Sequence, residues 1–370
     1  MKETWNRRNF MTSLGLGTIG AAMLPTIGWS MEEAWQDAVV KILAEAISID
    51  MHNHVDVPFD TANFSNEKNA LPMQMKTAGL SAIGMTFCVD RPKLAYKGEA
   101  FERFTTAMNE MDALLEANAM KRALTFKDWK KAKKQQQPIV IQAVEGGLFI
   151  EDDVDRLEVA YERGLRHFGL LHDAQSAFPL GDIYTNEPQF GGLTDLGKQV
   201  IKKASALGMV VDLAHCSDAA VNQAIELLDT PVLISHTGLN TQLGTDERMA
   251  NMMMPRLISK EQAKRVAEAD GVVGVWTHLA NNTDDMAVNI AALVDVMGVD
   301  HVAIGTDTKM INPTKGEHRF GNATNSCFKG MENGLLESLV TSMLAKGFHH
   351  DEILKIIGGN YARIFELATT

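Results

Sequence analysis

The sequence predicts one α/β domain, a (β/α)8 TIM-type barrel over residues 31–370, behind an export segment at residues 1–30. Three observations lead there. Eight short apolar runs rich in β-branched residues alternate with segments of helical spacing, the pattern of strands buried on both faces of a parallel sheet. Eight such units in about 320 residues favour a closed barrel over an open sheet. No glycine-rich phosphate loop follows the first run, which removes the support for an open nucleotide-binding sheet.

Composition narrows the partners. A net charge of −12 argues against nucleic acid, because phosphate binding needs a basic patch. Lys130-Lys-Ala-Lys-Lys134 reads as a solvated helix end. Cys88, Cys216 and Cys327 are odd in number and widely spaced, which suits neither a disulfide framework nor a zinc knuckle. At the N-terminus, Arg7-Arg8-Asn9-Phe10-Met11 precedes an uncharged stretch from Thr12 to Trp29. This resembles a twin-arginine export signal, implying the twin-arginine machinery as a partner and a periplasmic destination. The stretch is too glycine-rich for a stable membrane span. Cleavage is expected between residues 22 and 30, and an uncleaved N-terminus as anchor is the alternative.

Taken in order, Glu32 to Ala46 has helical apolar spacing (Trp35, Ala38, Val39, Ile42, Leu43) and covers the bottom of the core. The first strand, from Ile47, ends at His52 and is followed by His54. Residues 57–70 read as a loop. Ala82 to Val89 is the second strand, and Glu99 to Lys134 is helical by pattern. Pro138 to Glu145 is the third strand, ending at a carboxylate and Gly146-Gly147. Helices at Val154–Gly164, Thr194–Leu207, Asp218–Leu228 and after Ser259 then alternate with strands ending at His172, His215, His236 and Trp276. Ser259 with Gln262 three residues on marks the last of these helix starts. Val288 to Met297 precedes the eighth strand, which ends at Asp307.

Functional groups of such barrels sit at the C-terminal ends of the strands. Those ends carry His52 and His54, Glu145, His172, His215, His236 and Asp307. Histidines on four strands converging with two carboxylates on one rim point to a metal centre. Imidazole and carboxylate suit zinc, with manganese, cobalt or iron as substitutes, and two divalent ions fit. Glu145 can bridge them, His52 and His54 can hold one, and His215 with His236 the other. A water between the ions would be acidified towards hydroxide and attack an amide or ester carbonyl. Asp307 is placed to move its proton, and His172 to polarise the carbonyl.

From residue 47 to 366 the chain resembles the membrane (renal) dipeptidase family, dinuclear zinc peptidases of the amidohydrolase superfamily. The matching stretches are Asp50-Met-His52-Asn, Lys76-x-x-Gly79, Val144-Glu145-Gly-Gly, the Gly164-to-His172 segment, Gly192-Leu-Thr-x-x-Gly197 and Asp212-Leu-Ala-His215-Cys-Ser217. Further matches are Pro231-Val-x-x-Ser-His236, Pro255-Arg256-Leu, Asp300-His-Val-x-Ile-Gly-x-Asp307 and Gly358-Gly-Asn360. The resemblance implies Glu145 as bridging ligand, His215 and His236 on the second metal, and Asp307 as the proton-handling group. It further implies that His172 contacts the substrate carbonyl and that Arg256 pairs with the free carboxylate of a dipeptide's C-terminal residue. A planar guanidinium suits that task, and Arg248 is a rival for it. Homodimers are common in the family.

The chain departs from the family at three places. His54 stands where the family has an aspartate, leaving the site about one charge more positive. Thr308-Lys309-Met310 replaces an aspartate- and glycine-containing turn, and Trp276-Thr-His-Leu-Ala280 replaces the family's substrate-contacting segment. The expected activity is therefore a metal-dependent dipeptidase. The alternatives are an amidohydrolase of N-acyl amino acids or lactones, and a non-catalytic metal- or peptide-binding barrel. Asp50 and Asp56 are read as supporting residues, His278 as a loop histidine with a substrate contact as the alternative, and His349 and His350 as exposed residues near a helix start. Met249 to Met254 reads as packing or an apolar surface, and Cys216 is left out of the site.

Overall fold

The computed structural model describes residues 31–55, 70–174, 176–311 and 322–370, with side chains from residue 36. The export segment and Asp56 lie outside the described residues.

The strands are β1 (Ile49–His54), β2 (Ala82–Cys88), β3 (Ile139–Glu145), β4 (Leu165–Gly169), β5 (Val210–Asp212), β6 (Leu233–Thr237), β7 (Val272–Val275), β8 (Val302–Ile304) and β9 (Thr308–Lys309). They form one parallel sheet of nine strands in the order β8-β7-β6-β5-β4-β3-β2-β1-β9. Eight are the expected runs; β9 is additional. It follows β8 after Gly305, Thr306 and Asp307 and pairs with β1, Asn53 opposite Thr308 and His54 opposite Lys309. Asp307 N–H also donates to the His52 carbonyl at 3.1 Å. The two ends of the strand series thus lie on one stretch of chain, and the sheet is curled.

Packing shows what the curl encloses. Ile49, Ala82, Ile141, Val210, Leu233, Val272 and Ala303, one from each of seven strands, share a buried cluster with Trp129, Tyr361 and Phe365. A second cluster joins the outward strand residues to the surrounding helices. Apolar burial on both faces is why these strands read as continuous apolar runs rather than alternating ones. Gly305, just after β8, lets the chain pass close to β6, since a Cβ there would sit 1.8 Å from the Ser235 carbonyl oxygen.

Helix ends follow local chemistry. Thr194 Oγ1 accepts from Gly197 N–H, Ser217 Oγ from Ala220 N–H and Ser259 Oγ from Gln262 N–H, each capping its helix. The predicted helix from Glu99 to Lys134 is in fact two, Glu99–Ala117 and Phe126–Lys134. Ala119 takes a positive φ after the first, and Thr125 with Asp128 builds a reciprocal capping box opening the second. The helical periodicity hid that box.

Three strands stop three residues short of the one expected to end them. β4 ends at Gly169, β5 at Asp212 and β8 at Ile304, so His172, His215 and Asp307 each sit three residues beyond their strand.

Candidate active site

Glu145 closes β3, and Gly146 takes the left-handed conformation that turns the chain away from it. Around its carboxylate stand five imidazoles. Nε2 lies within reach for His215 (2.9 Å), His172 (3.3 Å), His52 (3.5 Å), His54 (3.6 Å) and His236 (3.6 Å). His52, His54 and His236 stand at the ends of β1 and β6 as expected, and His172 and His215 on the turns beyond β4 and β5. Nε2 of His52 is 3.3 Å from that of His54, and Nε2 of His215 is 3.1 Å from that of His236. Asp307, at φ +56° between β8 and β9, places Oδ1 3.1 Å from His54 Nε2.

The far nitrogens are held as well. Ser235 Oγ is 2.9 Å from His236 Nδ1 and 3.3 Å from His52 Nδ1. His215 Nδ1 lies 3.1 Å from both Asp173 Oδ1 and the Tyr184 hydroxyl. His172 Nδ1 lies 2.6 Å from Asp90 Oδ2. Such outer partners fix ring orientation and turn each Nε2 towards the centre. Beneath them Asp50 is fully buried and accepts from Thr306 N–H at 2.9 Å, Thr306 O–H at 2.5 Å and Asn53 Nδ2 at 2.7 Å. It ties β1 to the β8–β9 run.

Burial and neighbours shift these groups. Burial, helped by the charge of His236, lowers His52 well below the ordinary imidazole range, and burial lowers His236 too. For Glu145 burial acts upward, but His172, His52 and His215 outweigh it and hold the carboxyl well below its usual range. For His215 burial acts downward, yet its bonds to Asp173 and Glu145 push it up to about 10. Asp307 is likewise held low against burial, first by its bond to His278.

Arg256 stands at the edge of this cluster. It ends a short 3-10 turn, Met254–Arg256, is half-buried, and its Nη2 donates to Asp173 Oδ2 at 3.0 Å. Arg91 Nη2 donates to the same oxygen at 3.2 Å. Arg248, the rival, is exposed on the preceding helix. Asp90, Asp173, Tyr184 and Ser235 escaped the sequence reading. Asp173 and Ser235 adjoin His172 and His236, and that adjacency was the available signal. His278 does lie in the turn after β7, and its Nε2 is 2.6 Å from Asp307 Oδ2, a contact the sequence does not show.

The sequence of residues 36–370 matches the family model described as membrane dipeptidase (peptidase family M19). The chain belongs to the membrane dipeptidase family. Dipeptidase 3 of Mus musculus is 26% identical over 229 residues, covering 60% of this chain and 43% of the mouse protein. The chain spans about half the length of the curated relatives it matches. Among solved structures, the probable dipeptidase PvdM of Pseudomonas aeruginosa superposes with a TM-score of 0.74 at 15% identity, covering 91% of this chain and 98% of that one. A metallopeptidase of Rhodobacter sphaeroides bound to a phosphinate mimic of L-Ala-D-Ala superposes at 0.64 with 18% identity, covering 86% of this chain and 99% of that one. These likenesses show a shared fold.

The cluster's donor set fits a divalent metal. His52, Glu145 and His236 offer ligand atoms within 4.8 Å of one another, as do His52, His54 and Asp307, and Glu145, His172 and His215. Glu145 Oε2 is buried and makes no hydrogen bond, an oxygen with capacity to spare for a cation.

Proposed function

We propose that this membrane dipeptidase relative is a metal-dependent hydrolase cleaving dipeptides with a free C-terminal carboxylate. The observation that carries the reading is the convergence of five imidazoles on the buried Glu145 carboxylate, with Asp307 on the same rim. His52, His54 and Glu145 would hold one ion, and Glu145, His215 and His236 a second, with zinc suited to this donor set. When bound, such ions supply Lewis acidity and acidify water, providing a nucleophile near neutral pH.

The chain's own groups do the rest. Asp307 takes a proton on its carboxylate and returns it to the leaving amine. His172 orients and polarises the scissile carbonyl through Nε2, with Asp90 holding the ring by Nδ1. Arg256 receives the substrate carboxylate, exchanging part of its bond to Asp173 for a bidentate one. In this reading the curled sheet is a closed (β/α)8 barrel, supported by the pairing of β9 with β1. Residues 31–370 form the hydrolase domain, and residues 1–30 export it to the periplasm through the twin-arginine machinery.

One observation favours a second reading. Each carboxylate of the cluster already carries imidazole or guanidinium partners: Glu145 its five histidines, Asp307 His54 and His278, and Asp173 His215, Arg91 and Arg256. A substrate whose nitrogen is acylated asks for no ammonium partner, which favours N-acyl amino acids. Hydrolysis of L,L and L,D dipeptides, their C-terminal amides and N-acyl amino acids by zinc-loaded and chelated protein separates the two. Chelator-sensitive cleavage of free dipeptides, with amides refused, is the expected result. Cleavage of acyl amino acids alone moves the assignment to a deacylase.

A further inference from the structure

We propose that Cys88, Asp90 and His172 form an additional divalent-cation subsite beside the cluster, one that takes a soft cation such as zinc and inhibits the enzyme at excess metal. The proposal goes beyond the dipeptidase reading, and only its activity readout rests on that reading.

Cys88 closes β2, Asp90 follows two residues later, and His172 reaches over from the turn after β4. Their sulfur, carboxylate oxygen and imidazole nitrogen lie within 4.8 Å of one another. None of these positions belongs to the two-ion set assigned above. Asp90 is only 4% exposed; its Oδ2 lies 2.6 Å from His172 Nδ1, while its Oδ1 is buried without a hydrogen-bond partner. A buried carboxylate oxygen left unsatisfied is unusual, and a cation beside it supplies what it lacks. The thiol is reduced and half-exposed, so a cation can enter from solvent.

The donor chemistry selects the ion. One thiolate, one carboxylate and one imidazole suit zinc or cobalt, whereas magnesium and calcium prefer all-oxygen sets. On binding, the thiol loses its proton to solvent, as does Nδ1 of the ring if it carries one, and sulfur, oxygen and nitrogen each bond the metal. The two negative ligands balance the ion's charge. Occupancy is incompatible with the direct Asp90–His172 bond, so the ring that orients the substrate carbonyl loses its support. Loss of such a partner lowers activity about tenfold.

The test is a cobalt titration of chelated full-length protein, following thiolate-to-cobalt charge-transfer absorption and dipeptide hydrolysis together, in wild type and Cys88→Ser. Expected is restoration of turnover by the first equivalents without the thiolate band, then the band and about tenfold inhibition as cobalt is raised further. Cys88→Ser keeps wild-type turnover, shows no band and resists the inhibition. It also separates Cys88 from Cys216, which adjoins His215. Absence of a thiolate band at excess cobalt in wild type overturns the proposal, as does equal inhibition of both proteins. A Cys88-dependent band in protein that hydrolyses no dipeptide supports the subsite while removing the dipeptidase reading.

Discussion

His278 Nε2 lies 2.6 Å from Asp307 Oδ2, while Asp307 Oδ1 faces His54 Nε2 at 3.1 Å. The carboxylate is therefore bracketed by two imidazoles, from β1 and from the turn after β7. Removing His278 frees the side chain to rotate away from the centre without altering the pocket for a carboxylate. His278→Ala is expected to lower kcat about tenfold with KM nearly unchanged, the loss of a partner that orients a reacting group. A change confined to KM would transfer His278 to substrate binding.

Asp307→Asn keeps the bracket's shape but cannot accept a proton. Turnover should fall to background while elemental analysis still finds metal, because the five imidazoles and Glu145 remain. Retained turnover would remove Asp307 from proton transfer.

Arg256 is half-buried and shares Asp173 Oδ2 with Arg91, so a substrate carboxylate competes with an internal one. A charge-assisted hydrogen bond contributes about 1.5–3 kcal/mol, or roughly 10- to 150-fold in binding. Arg256→Ala should raise KM for free dipeptides by that factor and leave kcat largely intact. Lys does not restore it, since the planar fork is lost. An unchanged KM would point to Arg91 as the receiving group, and steady-state kinetics on both variants decides.

The strands and the rim residues were legible because both signals are local. Apolar runs mark strands buried on two faces, and histidines such as His215 and His236 sit just beyond those runs. What was not legible depends on contacts distant in sequence. Asp90 meets His172 across 82 residues and His278 meets Asp307 across 29. Asp90 and His278 do follow the second and seventh apolar runs, but nothing local shows which distant side chain each of them meets. β9 escaped because two residues pairing with β1 leave no periodic trace. The break between Ala117 and Phe126 was written in Thr125 and Asp128, but helical spacing on either side masked it.

Below the cluster, His167 is buried with Nδ1 3.2 Å from the Tyr361 hydroxyl and Nε2 3.1 Å from Asp212 Oδ2. Asp212 in turn accepts from Ser235 N–H at 2.9 Å, next to His236. Tyr361→Phe preserves packing against Trp129 and Phe365 but strips the partner from a buried ring nitrogen. The expected cost is about 1–3 kcal/mol, read as a lower denaturation midpoint. Turnover should be unaffected, because Asp212 keeps its bonds to His167 and Ser235. A variant as stable as the parent would mean that water or a tautomer change satisfies His167.

Metal removal tests the centre independently of substrate. Burial, helped by the charge of neighbouring imidazoles and against the pull of Glu145, leaves His52 and His236 poorly able to carry protons, so these two rings offer lone pairs to a cation. A ligand bound only by the folded state adds about 2.7 kcal/mol per site at a free concentration 100 times its Kd. Chelated protein should therefore melt at a lower temperature than zinc-loaded protein, and elemental analysis of the loaded form should find two ions per chain. Glu145→Gln removes the charge shared by both proposed sites and should bind less metal and show a smaller shift on loading. Equal melting temperatures for zinc-exposed and chelated protein, with no zinc retained by elemental analysis, would mean that the histidine cluster holds itself together, and the metal-centre reading would have to be given up.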